Sequence, residues 1–234
     1  MILLFPMQMT QYFNGDGDTR AHFVFDLIAP VYGIIDKVTQ GDYKKMATLL
    51  NKEIPLKGKS ILDVGCGAGS WITALSAHMP EKTLGVDFSL KMLEQARKKH
   101  PETEFIHQHG ENLSAFADNS FDLVTASFVL HGMKTPKREK VLAEMKRIAR
   151  QNVVIHDFYA NHHWVVRMLE FLERSDYIHF QKHFKDEIRP FFPNHRILKA
   201  DNGNALYVGM NYLEAELSRY QNEICFFSMQ SSEY

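Results

Sequence analysis

Short runs of apolar and branched residues alternate along the chain with longer stretches whose apolar positions recur every three or four residues. This is the rhythm of strands separated by helices around a parallel sheet. The runs SILDV (60–64), KTLGVD (82–87), EFIHQ (104–108), FDLVTAS (121–127) and NVVIHD (152–157) predict five strands. Helices fit the intervals, most clearly at 136–149, where Thr135 is the expected N-cap and Pro136 the first helical residue. Val141, Leu142, Met145, Ile148 and Ala149 make one apolar stripe there, which is core. Toward the end, HRILKA (195–200) and ALYVGM (205–210) flank DNGN, a turn signal that predicts an antiparallel hairpin. Residues 161–192 read as an aromatic-rich helical insertion, 19–52 as an N-terminal helical segment bent at Pro30, and 211–234 as a tail. The expected fold class is α/β: one domain, a mostly parallel sheet closed by an antiparallel hairpin, and helices on both faces.

Composition narrows the setting. With 234 residues and 45% hydrophobic content, one domain of ordinary size can bury a full core. Basic and acidic residues balance, 27 against 28, so neither nucleic acid nor an anionic membrane is an expected partner. Two cysteines, Cys66 and Cys225, give no disulfide framework, and the apolar opening MILLFPM lacks the features of a signal peptide or a span. A cytoplasmic protein without stable membrane anchoring is expected. Twelve histidines raise the question of a metal, and His179 and His183 share a helix face, but HFQKH lacks the glutamate of zinc-protease motifs. No metal site is expected.

Candidate chemistry starts at ILDVGCGAGSW (61–71), where a strand runs into glycines 65, 67 and 69. A glycine loop between a first strand and a first helix brings backbone N–H groups close to a ligand. Ser70 stands where the dinucleotide fingerprint needs glycine or alanine, and Asp63 beside the loop would repel a pyrophosphate while suiting an ammonium group. Both disfavour an NAD-dependent oxidoreductase. Asp87 ends the second strand, where an acid takes ribose hydroxyls in such folds. The ligand implied has a ribose and an amino-acid-like cation. The competing explanation is that Asp63 and Asp87 merely cap helices starting near Gly69 and Ser89.

LDVGCGAGSW, GVDFSLKMLEQARK and ENLSAFADNSFDLVTASFVLHGM, with the closing hairpin, resemble class I S-adenosylmethionine-dependent methyltransferases, in particular the ubiquinone/menaquinone C-methyltransferase-like subgroup. The resemblance implies a seven-stranded sheet with its last strand antiparallel and S-adenosylmethionine across the ends of the first strands. It implies cofactor contacts from Asp63, Gly65, Cys66, Gly67 and Gly69, then from Asp87, Phe88 and Met92, then from Gly110, Glu111 and Asn112, and from Ser127 and Phe128. One position departs from the pattern: His109 and Gly110 precede ENL where relatives usually carry the aspartate that takes the adenine amino group, and Ala115 is an extra residue. Methyl transfer from a sulfonium needs alignment of nucleophile and methyl, and a base only when the acceptor loses a proton, so no obligatory catalytic set follows. Acceptor-pocket candidates lie at strand ends, as His131, His156 and Asp157, and in the N-terminal segment, as Tyr32, expected within a lid. The NPPY-type signature of nucleic-acid amino-methyltransferases is absent, and the aromatic insertion favours a small organic acceptor. A catalytically silent S-adenosylmethionine-binding protein that docks a partner is the alternative.

Overall fold

The computed structural model describes residues 41–160 and 175–211. Of the N-terminal segment 19–52 expected as a lid, residues 19–40 with Tyr32 lie outside the described residues, as do Trp164 and Phe171 of the insertion and the tail from 212 onward.

Seven strands form one sheet: β1 (Ser60–Val64), β2 (Lys82–Asp87), β3 (Glu104–His107), β4 (Phe121–Ser127), β5 (Ala149–Phe158), β6 (His195–Lys199) and β7 (Asn204–Met210). Their spatial order is β3-β2-β1-β4-β5-β7-β6. The first five strands pair parallel, and β7 inserts antiparallel between β5 and β6. The order reverses between β1 and β4, so a crevice opens at the carboxyl ends of those strands, where ligands sit in open α/β sheets.

Helices cover both faces. A helix through 41–53 (α1), α2 (Ser70–Ser76) and α3 (Leu90–Lys99) lie on one side, and Ile61, Leu123, Val154 and Leu206 point into that core together with Leu50, Trp71, Ile72 and Leu93. On the opposite side, α4 (Thr135–Ile148) and α5 (Tyr177–Glu187) bury Val141, Leu142, Met145, Phe180 and Phe184 against Leu62, Leu84, Val124 and Ile155. Consecutive strand residues thus serve opposite cores.

Three boundaries differ from the sequence reading. Helix α4 begins at Thr135 with Lys134 at the N-cap, and Thr135 Oγ1 donates to Glu187 rather than capping. Pro136 is therefore the second helical residue. Strand β5 starts at Ala149, not 152, because the chain turns extended directly after Ile148 and a register shift between Phe121 and Leu123 absorbs Arg150 and Gln151. Strand β3 ends at His107, whose ring nitrogen Nε2 is 2.8 Å from the Phe88 carbonyl. Tyr177, Phe180 and Phe184 of the insertion are core residues.

Candidate functional site

The loop after β1 is held by the end of β2. Gly65 and Cys66 N–H groups donate to the Val86 carbonyl at 2.8 and 2.9 Å, and Gly67 N–H donates to Asp87 Oδ2 at 2.8 Å. The other oxygen, Oδ1, accepts from Ser89 N–H at 2.8 Å, and Ser89 itself caps α3. Asp87 therefore ties two loops together, with burial pushing its carboxyl above the usual range and the Ser89 and Gly67 N–H groups pulling it back.

The three loop glycines have different reasons to be glycine. All have positive φ, but a Cβ at Gly65 would lie 2.6 Å from Val129 Cγ2, and one at Gly69 would lie 2.8 Å from His100. Protein atoms exclude those side chains. Only at Gly67 would a Cβ meet nothing within 4 Å, so that residue faces open space. The side chain of Cys66 is buried against Gly85, and burial, with the Asp87 and Asp63 charges, pushes its thiol up. It is a packed, unreactive group.

Asp63 does not cap a helix. It is 1% exposed, and neither carboxylate oxygen has a hydrogen-bond partner. Burial, followed by repulsion from Asp87, holds its carboxyl well above the ordinary range. A buried, unpaired carboxylate is costly unless a cation meets it. Among the described residues, the buried side-chain atoms lacking a partner are both Asp63 oxygens, Gln108 Oε1, His156 Nε2, Asn204 Oδ1 and Ser120 Oγ. All but Ser120 lie at or just inside the carboxyl ends of the parallel strands, since Asn204 opens antiparallel β7 beside Phe158. Unmet hydrogen-bonding capacity is concentrated where the topology places a ligand.

Toward β3, Phe88 is half-buried, and its ring stacks on the exposed His109 at 6.2 Å. His109 is 3.8 Å from Glu111, which also pairs with Lys137 at 3.3 Å. Gly110 packs tightly, since a Cβ there would be 3.0 Å from Val64. Met92 is buried in the first turn of α3, whereas Asn112 is exposed and accepts from Ser114 N–H.

Beyond β4 and β5 two histidines occupy opposite faces. His156 is fully buried, shares a 2.9 Å hydrogen bond between its Nδ1 and Ser127 Oγ, and sits among Trp71 (5.0 Å), Phe128 (4.6 Å) and Tyr43 (5.9 Å). Burial lowers its pKa to about 4, so the ring is neutral near pH 7. Phe128 holds a left-handed backbone, φ 54°, stabilised by its N–H on the His156 carbonyl at 2.9 Å. That conformation costs about 1–2 kcal/mol in a non-glycine residue, a strain of the kind that accumulates at sites.

His131 lies in the 3₁₀ turn Leu130–Gly132, on the other face. Its ring Nδ1 donates to Asp157 Oδ1 at 2.7 Å, and its backbone N–H donates to Oδ2 at 3.3 Å. Asp157 Oδ1 also accepts from Phe158 N–H at 2.8 Å. A carboxylate on Nδ1–H fixes the tautomer in which Nε2 is the basic nitrogen. Phe158, Phe128, Tyr177 and Phe180 rings surround the imidazole. His131 and Asp157 are thus a coupled pair, a relation that spacing alone does not reveal.

The His179 and His183 rings lie 4.5 Å apart, tilted by 33°, with His179 3.4 Å from both Asp176 and Glu187. No group of three metal-ligating side chains occurs among the described residues. Sequence reasoning missed Gln108, Asn204 and the fully buried Arg138, none of which carries a local signal of burial.

Residues 61–152 match the model of a methyltransferase domain. The chain is 35% identical over 129 residues to demethylmenaquinone methyltransferase of Renibacterium salmoninarum, covering 54% of this chain and 53% of that protein. It is 36% identical over 141 residues to the protein of that name from Bacillus licheniformis, covering 57% and 59%. The chain thus spans little more than half the length of these relatives. Among solved structures, magnesium protoporphyrin IX methyltransferase from Synechocystis PCC 6803 with bound S-adenosylmethionine superposes with TM-score 0.56 at 18% identity, over 87% of this chain and 95% of that one. The PH0226 protein from Pyrococcus horikoshii OT3 gives TM-score 0.57 at 17% identity, over 70% and 87%. These likenesses show a Rossmann-like methyltransferase fold.

Proposed function

We propose that this chain, built around a methyltransferase domain at 61–152, transfers a methyl group from S-adenosylmethionine to a small organic acceptor. The observation that carries the reading is Asp63: a buried, unpartnered carboxylate beside a glycine loop fits the ammonium of an amino-acid-bearing nucleoside. When bound, the sulfonium supplies an activated methyl for in-line displacement. Asp63 would hold the ammonium end, the Gly67 backbone would border it, and Asp87 would take the ribose hydroxyls. Phe88 and the loop at Gly110 and Glu111 would flank the adenine. Phe128 and Ser127 line the boundary between cofactor and acceptor.

On the acceptor side, His131 is the group suited to take a proton from a hydroxyl, an amine or an activated ring carbon. Asp157 orients the ring through Nδ1 and stabilises the imidazolium that forms. His156, neutral and enclosed by aromatic rings, is a wall of the pocket rather than a base. The names of the matched relatives make demethylmenaquinone the first acceptor to test. No helix among the described residues is long and apolar enough to cross a membrane; we place the protein in the cytoplasm.

Titration calorimetry with S-adenosylhomocysteine and with NAD tests the cofactor. Binding of the former alone supports the reading, and tight NAD binding with no response to S-adenosylhomocysteine defeats it. Label transfer from methyl-labelled S-adenosylmethionine, to demethylmenaquinone and to a metabolite extract, then tests the reaction.

A further inference from the structure

Among the described residues, Arg138 on α4 is a fully buried charged side chain that neither the cofactor reading nor the acceptor reading uses. All three guanidinium nitrogens are engaged: Nε donates to the Leu130 carbonyl at 3.1 Å, Nη2 to the Met133 carbonyl at 2.6 Å and to Asp176 Oδ2 at 2.7 Å, and Nη1 to Glu187 Oε2. Phe180 lies beneath the guanidinium at 5.1 Å and beside the His131 ring at 6.3 Å. A buried ion pair is a weak device for stability alone, since apolar residues of similar volume often do as well. The choice of carbonyls is informative.

Leu130 and Met133 bracket His131. The turn between them is short, and its own backbone bonds are long, 3.3 Å from Gly132 to Val129 and 3.2 Å from Met133 to Leu130. Such a turn has little intrinsic rigidity. We infer that Arg138 is a positioning residue: by grasping the carbonyls on both sides of His131 it fixes the turn so that the imidazole stays on Asp157. Asp176 and Glu187, at either end of α5, anchor the guanidinium from behind and join that helix of the insertion to the acceptor side of the site. The inference rests on the reading of His131 as the acceptor-side base. Among the described residues, the charged and titratable groups around this assembly are Asp157 on β5, Lys134 and Arg138 at α4, and Asp176, Tyr177, His179 and Glu187 at α5.

The test uses the full chain labelled with ¹⁵N-histidine and needs no ligand. The hydrogen-bonded Nδ1–H of His131, identified by its loss in His131→Gln, is followed by exchange with solvent alongside the β4 and β5 backbone amides. Lysine keeps the charge but cannot reach both carbonyls and both acids, so Arg138→Lys should speed exchange of the His131 proton at least tenfold while the strand amides change less than threefold. Glu187→Gln leaves the carbonyl contacts in place and should change it less than threefold. Arg138→Met should resemble Arg138→Lys; if it does not fold, the other two variants decide. Absence of the wild-type signal, or unchanged exchange in folded Arg138→Lys, overturns the positioning role. A wild-type protein that fails to bind S-adenosylhomocysteine instead defeats the functional reading, independently of this measurement.

Discussion

At the residue scale, Asp63 sets up opposed demands from stability and binding. Its unpaired, buried carboxylate raises the energy of the ligand-free fold, so Asp63→Asn should stabilise the free protein by about 1 kcal/mol, or ~2–4 °C in Tm. The same change should weaken S-adenosylhomocysteine binding at least tenfold, roughly the 1.5–3 kcal/mol of one charged hydrogen bond. Thermal denaturation and calorimetry on one sample check both, and a destabilised variant with unchanged affinity would contradict the assignment. His156 gives a pH signature. Its folded pKa, about 4, lies below the unfolded value near 6.5, so the unfolded state binds the proton first and stability falls as pH drops through that window. Between pH 7 and pH 5 the contribution lost is about 2 kcal/mol, measured as the difference in urea unfolding between wild type and His156→Gln. Asp63 and Asp87 act with the opposite sign, since carboxyls raised by burial lose stability as pH climbs from their unfolded values to their folded ones and regain it as pH drops through that window, which is why the comparison with the variant is needed.

At the scale of elements, the β1–α2 loop separates packing glycines from one that faces open space. Gly65→Ala faces both a φ of 73° and a contact of 2.6 Å with Val129, and should cost about 2–4 kcal/mol in denaturant unfolding. Adding Val129→Ala should relieve the clash without restoring the backbone term of ~1 kcal/mol. Gly67→Ala meets no clash, should cost only about 1 kcal/mol, and should reduce S-adenosylhomocysteine affinity more than Gly65→Ala in its rescued form. The glycine spacing, Asp87 and the strands 60–64, 82–87 and 121–127 were legible because each depends on local pattern: short apolar runs and turn-demanding backbone. Arg138 was not legible, because type and helix position read as solvent-facing, and its acids stand 38 and 49 residues away. Gln108 and Asn204 were missed for the same reason, since nothing near them in the chain says their carbonyl oxygens will be enclosed. The His131–Asp157 pair needed the β4–β5 register before its two members could meet.

At the scale of the whole molecule, the matched domain ends at residue 152 but the sheet does not. Strand β5 pairs with β4 on one side and with β7 on the other along Asn152–Phe158, so removing the terminal hairpin would leave a buried strand with an open, apolar edge. A fragment ending at residue 160 should fail to show a cooperative unfolding transition, while the chain through 211 should show one by circular dichroism. Strand β5 also separates two compartments. His156 faces Tyr43 and Trp71 on the α1–α2 side, whereas Asp157, the next residue, faces His131 on the α4–α5 side. For a gene, this makes two kinds of change very unequal. A missense codon at either position alters one compartment and leaves the other, so one wall can drift through descent while the opposite one is kept. An in-frame loss of a single codon earlier in the strand turns every following residue over, carrying a carboxylate among the aromatic rings and an imidazole toward the helix that holds Arg138. Lineages carrying this chain should therefore vary more in the residues of β5 than in their number.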